Sequence, residues 1–208
     1  MKIISCGNAF RFDANINHQI YCDFYQIPYE FYLDKAKQPP NYIKLDAIID
    51  SLQTYNEVLY IDDDAFFADK HWNCKQYFAN LNGNFIVTQG PKVKSTRTLF
   101  NTGVMFFRKS NAVLDMLLKV PYVTRKEMIN NWKKEYGYLG DGYDNVRMIY
   151  LSQTTPLKKE CNIIDYPGFN CKELNYKKNR PIVHFVSRGK KGKMSRFKRK
   201  FNIDLYNI

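Results

Sequence analysis

No run of apolar residues in this 208-residue chain approaches the roughly 20 that a membrane-spanning helix needs, so no segment reads as a transmembrane span. The opening, Met1 to Cys6, has too short an apolar core for a signal peptide and reads as a buried strand. There is no Cys-x-x-Cys pair either. Cysteines 6, 22, 74, 161 and 171 are scattered and odd in number. That pattern fits neither a zinc site nor a disulfide framework and points to a reducing, cytoplasmic compartment. Internal repeats, low-complexity tracts and flexible linkers are missing, which leaves one domain over residues 1–208. Acids are absent between Arg188 and Lys200, where eight of thirteen residues are Lys or Arg. This stretch carries two-thirds of the net charge of +12 and makes 188–208 a basic C-terminal tail. A solvated tail, a phosphate-rich ligand, an anionic membrane face or nucleic acid would each account for it.

What is present suits a packed globule: 45% of residues are hydrophobic and 16% aromatic. Ile3-Ile4, Tyr29 to Leu33, Val58 to Ile61, Phe85 to Val87, Val104 to Phe107 and Ile182 to Phe185 read as strands. Between them lie helical patterns. Ile16, Ile20 and Phe24 mark one apolar face within 13–26, and Ile43, Ala47 and Ile48 another within 42–52. Further helices are expected near 111–119, 124–135 and 143–151. Alternating strands and helices imply an α/β fold, a mainly parallel sheet with helices on both faces. Ligands of such sheets sit beyond the carboxyl ends of the strands.

One stretch stands at such an end. After Val58-Leu59-Tyr60-Ile61 come Asp62, Asp63 and Asp64, then Ala65-Phe66-Phe67. Three adjacent carboxylates repel unless water or a cation offsets them, and a hard divalent ion with oxygen ligands is the natural partner. In an extended segment residues i and i+2 point the same way, so Asp62 and Asp64 would converge while Asp63 turns aside. A surface acidic turn is the plain alternative. A calcium loop fits poorly, with Phe66 at its fifth position and Asn73 at its twelfth. An aspartyl-phosphate enzyme would want Gly-Thr where Ala65-Phe66 stands.

The acidic stretch resembles the D-x-D signature of glycosyltransferases with the GT-A fold. Asn17 to Cys22 followed by Ile27-Pro28-Tyr29, Tyr42-Ile43-Lys44-Leu45, Phe100-Asn101-Thr102-Gly103-Val104, Gly140-Asp141 with Asp144-Asn145, and Ile182-Val183-His184-Phe185 with Gly189-Lys190 follow in order. They resemble blocks of the galactosyl- and mannosyltransferases related to yeast Golgi enzymes, and of glycogenin-like transferases. Tyr42 stands where that pattern has Trp, Gly142 where it has Gln, and no Pro-Trp follows the last lysine. The resembled family is split between Golgi, bacterial and virus-encoded members; no anchor is read in this sequence, which suits the latter two, and a virus-encoded one would act in host cytoplasm.

The resemblance implies a nucleotide-sugar donor, with uridine favoured, a glycan or glycoprotein acceptor, and retention of anomeric configuration. It implies that Asp62, Asp64 and His184 bind a metal ion. The imidazole favours Mn²⁺ over Mg²⁺. Ser5, Cys6, Gly7 and Asn8 would form the nucleobase and ribose loop, with Asp62, Asp63 and Lys44 near the same nucleotide. Asn101 and Asp141 would line the sugar and acceptor region. Asp141 reads equally as a helix N-cap, and in an inverting enzyme it would be the general base. Arg188, Lys190 and Lys191 would clamp the diphosphate as a flexible tail closes, or the tail serves solubility alone. His18 and His71 carry no such context and read as structural.

Two rivals remain. A sugar nucleotidyltransferase would show a Gly-rich basic loop after the first strand, where Ser5 to Phe12 holds one Gly and one Arg. A nucleic-acid-binding module suits the charge and the sixteen tyrosines. The acidic triplet would repel its phosphates, so no nucleic-acid partner is expected. Peripheral contact of the basic tail with an anionic membrane is compatible with the transferase reading.

Overall fold

A computed structural model of the chain describes residues 1–10, 12–34, 40–90, 98–140, 144–177, 180–185 and 190–206. Six strands form the main sheet in the order β2 (Tyr29–Leu33), β1 (Lys2–Gly7), β3 (Glu57–Ile61), β6 (Phe100–Arg108), β5 (Phe85–Gln89) and β7 (Cys161–Ile164). Pairs β1–β2, β1–β3 and β5–β7 are parallel, whereas β6 runs antiparallel to both its neighbours. The sheet is thus mainly parallel, with one reversed strand that periodicity alone does not reveal.

Strict alternation along the strands divides two cores. Ile4, Val58, Tyr60, Met105 and Phe107 face helices α2 (Pro40–Thr54), α4 (Asn111–Lys119) and α6 (Asp144–Thr154). Ile3, Leu59, Ile61, Val104 and Phe106 face α1 (Ala14–Tyr25) and α3 (Cys74–Ala79). Continuous apolar runs are what a sheet covered on both faces requires. The helix expected over 124–135 is shorter, α5 (Arg125–Asn131). Trp132 leaves helical geometry, and its indole N–H reaches the Gly137 carbonyl at 2.9 Å.

Helix α1 forms where its spacing predicts but buries the other face. Ile16 is 47% exposed and Phe24 63%, while Asn17, His18, Tyr21 and Cys22 are buried. The polar pair is satisfied, which removes the cost of burying it. Asn17 donates to the Phe67 and Leu205 carbonyls and accepts from the Phe67 N–H. His18 Nε2 lies 2.8 Å from the Ala65 carbonyl and Nδ1 3.1 Å from the Tyr29 hydroxyl. The aromatic ring of Tyr21 stacks on Phe67.

Those contacts hold α1 against a second sheet of three short strands, β4 (Ala65–Phe67), β9 (Ile182–His184) and β8 (Asn170–Lys172). Its outer side is covered by α7 (Lys190–Phe201), whose Met194 and Phe197 pack with Phe66, Tyr176, Phe185 and Leu205. The basic segment expected to be a flexible tail is therefore a docked helix from Lys190 onward. Met194, Phe197 and Phe201 recur at helical spacing between its cations, and burying them fixes it.

Candidate metal centre

Strand β3 ends at Ile61, and the Asp62 N–H donates to the Gly103 carbonyl of β6 at 2.7 Å. The chain then turns, with the Ala65 N–H bonded to the Asp62 carbonyl, and leaves as β4. The carboxylates of Asp62 and Asp64 converge, but from a turn between two strands of different sheets rather than from one extended segment. Antiparallel pairing of β4 with β9 sets Ala65 opposite His184 and bonds the Phe185 N–H to the Asp64 carbonyl. His184 Nε2 consequently lies 2.7 Å from Asp64 Oδ1 and 3.6 Å from Asp62 Oδ2. One ligand atom from each of the three residues falls within 4.8 Å of the others.

Gly103 makes room for this approach. A Cβ there would overlap His184 Cε1 and lie 2.8 Å from Asp62 Oδ2. The imidazole thus lies close against the backbone of β6 at Gly103. Asp64 and His184 are buried, while 27% of the Asp62 side chain remains open to solvent.

A buried network stands behind Asp62. The Tyr60 hydroxyl donates to Asp62 Oδ1 at 2.7 Å, and the Cys6 thiol lies 3.5 Å from that hydroxyl. Lys44 is buried, with its ammonium 2.7 Å from Asp144 Oδ2 and 4.0 Å from Asp62 Oδ1. Thr102 donates to the same Asp144 oxygen at 3.3 Å. Burial by itself would lower the Lys44 pKa, but the Asp144 and Asp62 charges outweigh it and hold it above its ordinary value. Burial and the Asp64 charge raise the Asp62 pKa, against the opposing pull of Lys44 and His184. Burial pushes the Cys6 thiol up to about 12, so it is a neutral packing group.

The other sequence-derived candidates are distributed as follows. Gly7 lies beside Asp63, whose Oδ2 would be 3.1 Å from a Cβ built there, and Asn8 is exposed next to it. Ser5 is fully buried on the α1 side of the sheet. Asn101 Oδ1 accepts from the Gly103 N–H and the Asn170 amide, in the stretch of β6 where its pairing with β5 shifts register. Lys191 is exposed on α7 and lines a separate cavity of about 250 Å³ with Phe12, Asp13, Met194, Ser195, Lys198 and Tyr206. Asp141 and Arg188 lie outside the described residues, as does the Lys190 side chain. Three contributors were not singled out by sequence for these roles: Tyr60, Gly103 and Asp144. Tyr60 had a signal, since it sits two positions before Asp62 on the strand that leads to it.

No protein-family model matches the sequence, and no curated protein does. Solved structures do. A glycosyltransferase involved in glycosylation of the major capsid of PBCV-1 superposes with a TM-score of 0.68 at 13% identity, over 96% of this chain and 100% of that one. The glycosyltransferase GlyE of Streptococcus pneumoniae TIGR4 gives 0.54 at 11% identity over 94% of this chain, which spans 60% of GlyE. The bifunctional glycosyltransferase WbbM gives 0.54 at 10% identity over 90% of this chain, which spans 46% of WbbM. The expected fold is thus found: a GT-A α/β architecture, shared with the PBCV-1 enzyme along its whole length.

Proposed function

We propose that this chain is a metal-dependent glycosyltransferase that moves a hexose from a nucleoside diphosphate sugar to a glycan or glycoprotein acceptor. One observation carries the reading. Asp62, Asp64 and His184 converge at the carboxyl end of β3, in a fold that 96% of the chain shares with a glycosyltransferase. Two carboxylates and an imidazole form a donor set suited to Mn²⁺ and acceptable to Mg²⁺. When bound, such an ion would stabilise the negative charge that builds on the leaving diphosphate as the sugar–oxygen bond breaks.

The chain's own residues prepare that site. Tyr60 orients the Asp62 carboxylate by its hydrogen bond, and buried Lys44 offsets part of its charge. Asp63 with Gly7 and Asn8, at the end of β1, receives the nucleoside, while Ser5 and Cys6 support that edge from within the core. Asn101 and Asp141 are assigned to the sugar and acceptor, and Arg188, Lys190 and Lys191 to the phosphates. Uridine as the base, and retention of configuration, follow from the resemblance of the motifs. The five cysteines are free thiols, which fits a reducing compartment, and we assign the protein to the cytoplasm.

A thermal-shift panel of nucleotide sugars in the presence of Mn²⁺ tests the reading. The melting point should rise with uridine diphosphate sugars and rise less with guanosine ones. The reverse order would overturn the base preference, and no response to any nucleotide sugar would remove the function.

A further inference from the structure

We infer that the outward face of α7, together with Leu174, is a docking surface for an anionic lipid bilayer. The inference is independent of the transferase reading. Helix α7 is divided into two faces. Met194 and Phe197 are buried, and Phe201 packs against the same cluster. Lys191, Arg196, Arg199 and Lys200 are exposed on the rest of the helix, and no acid occurs within it. Among the described residues, Lys193 is 2.9 Å from Glu173, Lys198 is 3.3 Å from Asp204, and the Lys200 ammonium lies 5.0 Å from the centre of the Phe201 ring.

The Lys193–Glu173 contact brings a second observation to this face. Positions 193, 196 and 200 are three and seven apart, so Lys193, Arg196 and Lys200 share one flank of the helix. Glu173 anchors the turn Glu173–Asn175 against that flank. Its next residue, Leu174, is 84% exposed, the most exposed large apolar side chain among the described residues. A protruding leucine beside the exposed cations Arg196 and Lys200 matches a bilayer interface. Acidic headgroups attract the cations, and the apolar side chain enters the acyl boundary. A single-stranded nucleic acid would instead use aromatic rings for base stacking. The phenylalanines of α7 are turned inward, where they cannot supply them.

The expected strength follows from the charge. Each cation close to an anionic surface multiplies partitioning by about five-fold, so Arg196, Arg199 and Lys200 together give roughly a hundred-fold. The attraction is confined to a Debye length of about 8–10 Å and should fade with added salt.

The test is flotation of the full chain with vesicles of phosphatidylcholine alone and of phosphatidylcholine mixed equally with phosphatidylserine. Binding is expected to the mixed vesicles only. The double variant Arg196→Glu, Lys200→Glu should lower it at least a hundred-fold, and Leu174→Asp about ten-fold, with unchanged melting by circular dichroism. A control pair on α5 and beyond, Lys126→Glu with Lys133→Glu, should bind at least ten-fold more tightly than the α7 pair. Equal binding to both vesicle types, no binding to either, or equal loss in the control pair would overturn the inference. So would tighter binding of single-stranded RNA than of mixed vesicles with Leu174→Asp silent in both, which would mark a general polyanion site.

Discussion

His184 Nε2 lies 2.7 Å from Asp64 Oδ1 although 120 positions separate the two residues in the chain. The contact is made by backbone. Ala65 pairs with His184 across β4 and β9, and the Phe185 N–H closes on the Asp64 carbonyl. The side chains are therefore aimed by two strands whose register cannot slip by one residue without turning His184 to the opposite face.

If this pair and Asp62 hold the metal, Asp64→Ala should lower Mn²⁺ affinity by about 100-fold or more and abolish Mn²⁺-dependent hydrolysis of the donor. Calorimetric titration with Mn²⁺ reads the first effect directly. Undiminished affinity in that variant would remove the centre.

Gly103→Ala should damage the site with little harm to the fold. The added Cβ must push the imidazole or the Asp62 carboxylate aside. A stability loss of about 1–3 kcal/mol is expected from the overpacking, together with a fall in Mn²⁺ affinity of about 100-fold. Thermal melting and the same titration separate the two effects. Affinity equal to that of the unaltered chain would mean that the packing of His184 against β6 is irrelevant to the ion.

Lys44→Met removes the cation from a buried pair and leaves the Asp144 carboxylate without it. The expected destabilisation is about 3–5 kcal/mol. Adding Asp144→Leu should restore most of it, because an apolar pair of similar volume needs no compensating charge. Urea denaturation of the single and double variants checks this, and a neutral single variant would contradict it.

Stability should also depend on His18. Burial lowers its pKa from 6.5 to about 4, against a smaller opposing effect of the hydrogen bond to Ala65. Between those values the unfolded chain binds a proton that the native state does not. The contribution of the neutral imidazole is complete above pH 6.5 and is lost as pH falls towards 4, by about 3 kcal/mol. His18→Gln should flatten the urea midpoint between those pH values, and an unchanged slope would refute the assignment.

Much of the site was legible in the chain. A buried strand followed by three acids marks a sheet edge, and the ordered motifs point to His184 as the distant partner. Other residues were legible only as composition. Lys44, expected near the nucleotide, is buried by the fold between Asp144 and Asp62. The basic segment after His184 looks like a tail until Met194 and Phe197 are seen in a core. Cutting the chain after Phe185 would therefore remove core residues as well as cations. In α1 the apolar spacing gave the helix but misidentified its buried face, because hydrogen bonds to β4 make Asn17 and His18 acceptable inside.

By itself, the sequence determined the period of each major element and the crowding of charge at Asp62 to Asp64, since both depend on neighbours along the chain. The tertiary structure decided the reversed direction of β6, the pairing of Ala65 with His184, and which face of α1 is buried. Those depend on which distant backbone group satisfies which hydrogen bond, a choice that exists only once the chain has closed on itself.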